Sequence, residues 1–107
     1  MFSKFKCYNA QERAAVENAI KALFFAVFRE EKETFAIHIS DKKSARARAA
    51  YFEAVAAMVV LIDLFPLFGI DTDALKEEYN NRRTENPEEL DQFIADNYPH
   101  GGEIPMF

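Results

Sequence analysis

Cys7 and His38 are the best candidates for a nucleophilic pair in this chain of 107 residues. An imidazole within reach of a thiol can take its proton and leave a thiolate to attack an electrophile. The supporting cast is thin. Cys7 is the only cysteine, and His100 is the only other histidine. Neither histidine stands in an H-E-x-x-H or E-x-x-H pattern, so zinc and di-iron sites lack ligands. The stretch "DTDALKEEYNNR" fails as a calcium loop, because Lys76 takes its sixth position and Arg82 its twelfth. Carboxylates are plentiful, and no pair stands apart from a solvated surface. No metal or cofactor is expected. A Cys7/His38 enzyme is kept only as a further alternative.

Charge offers two other constellations. Ser40, Lys42, Lys43, Ser44 and Arg46 gather hydroxyls and cations at the expected start of a helix, the chemistry of an anion site. Cations there also oppose the helix dipole. Two competing readings are contact with the chain's own acidic helices and simple solvation. The second constellation is acidic. Residues 1–60 carry a net charge of +3 and residues 61–107 a net of −8, together the −5 of the chain. Asp73, Glu77, Glu78, Glu88, Glu89, Asp91 and Asp96 are the candidate contact residues for a basic partner. The alternative is an acidic face that only confers solubility. Phe25, Met106 and Phe107 complete the candidates as an apolar interface.

These residues need elements to place them. Asn9 with Glu12 resembles a capping box, and a helix is expected from there to about Glu31. Val16, Ile20, Leu23, Phe24, Val27 and Phe28 share one face of it. Phe25 points the other way and needs a second cover: a strand, a helix or another chain. "TFAIHIS", residues 34–40, alternates and reads as a strand. Pairing with the weakly alternating "SKFKCY" would bring Cys7 beside His38.

The most apolar stretch runs from Asp41 to Phe65. Ser40 or Asp41 is its expected N-cap, and Pro66 and Gly69 are its stop. Its second half is apolar nearly all round, which predicts a buried central helix, the spine of the domain. A membrane span is not expected. The uninterrupted apolar run, Ala54–Ile62, is too short and is flanked by Glu53 and Asp63. Two short helices follow. Asp71 or Thr72 caps the first, and Asn86 the second, with Pro87 at its first position. The tail, 99–107, holds two prolines and two glycines and predicts no regular structure.

The expected architecture is therefore a mainly α domain over residues 1–98 around one long central helix, with a short two-stranded β element. One cysteine and no apolar leader in "MFSKFKCYNAQER" place the expectation in the cytoplasm. Direct nucleic-acid binding is not expected. No glycine-rich phosphate loop is present, and the last helix would present Glu88, Glu89, Asp91 and Asp96 to phosphates. The expected function is a non-enzymatic protein-binding module that docks through its acidic C-terminal helices. One use of such a surface is to inhibit or regulate a nucleic-acid-handling protein. The alternative is a homodimeric structural or assembly protein.

Overall fold

The computed structural model describes residues 9–98, and every element in that range is helical. Helix α1 spans Ala10–Ser40 and α2 spans Ala45–Leu64; a 3-10 turn over Phe65–Phe68 extends α2. Helices α3 (Thr72–Glu85) and α4 (Pro87–Asn97) complete the fold. The molecule is elongated, 51 × 29 × 27 Å.

Local chemistry sets most boundaries. The Asn9 side chain accepts from the Glu12 N–H at 2.7 Å, the N-cap bond, and its amide donates to the Glu12 carboxylate. Asp71 caps α3 through the Ala74 N–H, and Asn86 caps α4 through the Glu89 N–H. Gly69 takes the left-handed conformation (φ 77°) and ends the 3-10 turn, a backbone state that glycine adopts without strain.

Three expectations are corrected. Residues 34–40 form the last turns of α1, not a strand. No glycine, proline or asparagine interrupts Glu31–Ser40, and the Thr34 hydroxyl donates back to the Glu30 carbonyl (2.7 Å), as threonine does inside helices. Phe35 and Ile39, four apart, serve helical spacing as well as alternation. An isolated strand has no partner for its backbone groups, whereas a helix satisfies its own. The proposed partner strand lies outside the described residues.

The second correction concerns the start of α2. Asp41–Lys43 form a turn, and Ser44 is the N-cap, accepting from the Ala47 N–H at 3.1 Å. The third concerns the spine. Helix α1 takes that place: α2 packs along it, and α3 and α4 pack against it as a pair. Of α2, only Ala54 and Met58 are buried, with Phe65 just beyond.

The core lies at one end. Phe24, Phe25 and Phe28 from α1 meet Met58, Phe65, Ile70, Leu75, Tyr79, Leu90 and Ile94. Phe28 and Tyr79 stack edge to face with ring centroids 5.1 Å apart. Beyond this body, the last turns of α1 and the first turns of α2 project as a hairpin arm.

Candidate functional site

Phe25 is wholly buried inside the chain, its ring 5.7 Å from Tyr79 and 6.0 Å from Phe93. Its second cover is α3 and α4, so its assignment to an intermolecular interface is corrected. Met106 and Phe107 lie outside the described residues, as does Cys7. His38 sits near the end of α1, its ring stacked on Tyr51 at 5.6 Å and 13°. Asn9 and His38 stand near opposite ends of α1, roughly 43 Å apart at 1.5 Å per residue. Among the described residues, no group of three or more histidine, cysteine or carboxylate side chains is placed to hold a metal ion.

The basic turn is not assembled as an anion site. Lys42 and Lys43 precede α2 instead of occupying its first turn. The Ser44 hydroxyl is engaged by the helix N-terminus, and the Ser40 hydroxyl donates to the Ile37 carbonyl at 2.9 Å. Arg46 lies in the first turn and is exposed.

The acidic residues divide by task. Asp91 accepts from Arg29 at 2.6 Å, and Glu78 lies 3.2 Å from Lys21 and 3.0 Å from Arg82. Two of the seven candidates thus tie α3 and α4 to α1. Glu89 accepts from the Asn86 amide within the cap, and Asp96 from Gln92. Asp73, Glu77 and Glu88 are exposed. Arg29 also donates to the Tyr79 hydroxyl (3.4 Å), joined there by Arg83 (3.5 Å). Burial works against the Arg29 charge, but that hydrogen bond and the nearby Tyr79, Asp91 and Glu33 outweigh it and hold its pKa above the ordinary value.

The largest feature without a role in the fold is the outer side of α2. Phe52 is 58 % exposed, Val59 50 %, Val60 52 % and, in the 3-10 turn, Leu67 69 %. Ala49 and Ala56 lie among them, also exposed. At roughly 100° per residue these positions cluster opposite Ala54, Met58 and Phe65, which face α1. Next to this face, Ile20, Leu64, Phe65, Phe68 and Ile70 line an apolar groove of about 230 Å³. At the arm's tip Phe35, Ile37 and Ile39 are about half exposed. By length and composition Ala45–Phe68 would suffice to cross a bilayer, and 17 % of its apolar window is buried.

The apolar circumference of α2 reads as a sign of burial. The signal against that reading was a count of cover. Between the end of α2 and Tyr98 lie only two short helices, α3 and α4, and α1 needs both to cover its own second side.

No family model, no curated protein and no solved structure matches the chain.

Proposed function

We propose that this chain is a non-enzymatic docking module whose contact surface is the outer face of α2, which packs against another polypeptide. The observation that carries the reading is the row of half-exposed Phe52, Val59, Val60 and Leu67 on one side of a single helix. Contiguous apolar patches of this kind mark interaction sites on soluble proteins. A module that works in the cytoplasm by docking suits the chain's single cysteine.

A second reading keeps the acidic face as the contact, with Asp73, Glu77 and Glu88 meeting a basic partner such as a nucleic-acid-handling protein. It is supported by the exposure of those three carboxylates. It is the weaker reading, since Glu78 and Asp91 are engaged in ion pairs within the chain.

The two separate in one experiment. A photo-crosslinking side chain is placed at Val60 in one variant and at Glu88 in another, and each is irradiated in lysate of the native host. The α2 reading expects a discrete adduct from position 60 and none from position 88. An adduct from position 88 alone moves the contact to the acidic face. None from either overturns docking.

A further inference from the structure

Resting on the α2 reading, we infer that the occupant of this face is a second copy of the chain, packed antiparallel across a two-fold axis near Ala56. The first observation is spacing. Ala45, Ala49, Phe52, Ala56, Val59 and Asp63 recur at intervals of four, three, four, three and four, the seam of a helix pair. All six are exposed.

The second is charge. Arg46 and Arg48 stand near the N-terminus of α2, and Asp63 in its last turn; no acidic residue occupies the first turn and no basic one the last. Each charge opposes the helix dipole at its end. The ion pairs found among the described residues include none of the three. Uncompensated violations of a local rule point to something outside the chain.

An antiparallel copy compensates both ends at once. Centring the pair on Ala56 sets Asp63 opposite Ala49 of the other copy, within a turn of its Arg46 and Arg48. It also sets Phe52 opposite Val60 and Leu67 opposite Ala45, large against smaller. A parallel pair would instead bring Asp63 against Asp63 and arginine against arginine. A bilayer would offer Asp63, in the last turn of α2, no cation in exchange for its hydration.

The area fits a modest affinity. A third of the surface of a helix about 36 Å long and 10–12 Å across is roughly 400–500 Å² per copy. Twice that lies below the usual range of about 1,200–2,000 Å² for stable interfaces and matches the size of a weak, transient contact.

Sedimentation equilibrium of the purified full chain, from about 1 to 200 μM, tests this. The wild type should shift from the monomer mass to twice that mass. Asp63→Arg alone, and Arg46→Asp with Arg48→Asp, should each weaken association at least about tenfold. All three changes together should restore it, because the reversed charges again meet their opposites.

A second measurement fixes direction. In a Cys7→Ser background, Ala56→Cys should form an intermolecular disulfide under mild oxidation by a disulfide reagent, and Ala49→Cys should not. Equal crosslinking at both positions would overturn the antiparallel arrangement. So would failure of the combined charge reversal to restore the dimer. A dimer indifferent to every charge change would overturn this surface. A monomer at all concentrations would overturn the second copy, whatever it then bound. In that case an intermolecular adduct from position 60 in lysate leaves the docking reading standing with a different partner. An adduct within one chain assigns the face to the chain's own termini, and capture by lipid vesicles assigns it to a membrane.

Discussion

The two sides of α1 receive partners of different character, and the less apolar pair is the one that is sealed. On one side Phe25 and Phe28 are sealed by Tyr79, Leu75, Leu90 and Phe93 from α3 and α4. On the other lies α2, more apolar than either short helix, with nothing among the described residues laid along its outer face. Apolar character makes burial favourable, but it does not decide whether the covering surface comes from the same chain. The polar helices close the body because Leu75, Tyr79, Leu90 and Ile94 bury against α1, with Lys21–Glu78 and Arg29–Asp91 bridging the same helices at the edge.

The comparison breaks most sharply on one residue type. Phe25→Ala removes a ring with no exposure and should destabilise the monomer by about 3–5 kcal/mol, read from urea denaturation. Phe52→Ala removes the same ring from the half-exposed side of α2 and should cost under about 1 kcal/mol in dilute solution. Equal losses would show that α2 is covered within the monomer after all.

Caps come next. Asn86→Ala and Ser44→Ala should each cost about 1 kcal/mol, since each side chain accepts a helix N–H. The difference between them sharpens the contrast. Loss at Asn86 should lower the global unfolding midpoint. Loss at Ser44 should raise amide exchange in the arm, residues 34–55, before the body responds.

The ion pair at the body predicts a smaller effect. Asp91→Asn should cost under about 1 kcal/mol, and less in high salt, because the carboxylate is largely exposed. Arg29 contributes no pH dependence between roughly pH 5 and 9. A cation whose folded pKa is raised keeps its stabilising contribution at every pH below its unfolded value and loses it only on rising through the folded one, at strongly alkaline pH. Val60→Ser should fall within about 0.5 kcal/mol of the wild type in dilute solution, the smallest change of the series.

Helix ends were legible in the sequence because caps are local: Asn9 with Glu12, Asp71, and Asn86 before Pro87 each satisfy N–H groups within three residues. The need for a second cover on Phe25 was also legible, from its angle on α1, although which element supplied it was not. Residues 34–40 misled because Phe35, Ile37 and Ile39 satisfy a period of two while Phe35 and Ile39 satisfy a period of four. The choice between them rests on having a partner strand, which no local pattern encodes. The exposure of α2 was hidden for a related reason. Periodicity identifies a face, but whether the remaining chain reaches that face is a property of topology. The acidic residues could be named from composition, whereas the engagement of Glu78 and Asp91 with Lys21 and Arg29 depends on contacts more than fifty residues apart.

The central claim is that a lone subunit leaves the outer face of α2 bare and that a partner covers it. Maleimide labelling of Val60→Cys in the Cys7→Ser background measures this directly. At nanomolar concentration the thiol should react about as fast as in the unfolded chain, and it should be protected as concentration rises through the micromolar range. A thiol equally slow at every concentration would show the face covered within a single chain and would contradict the account.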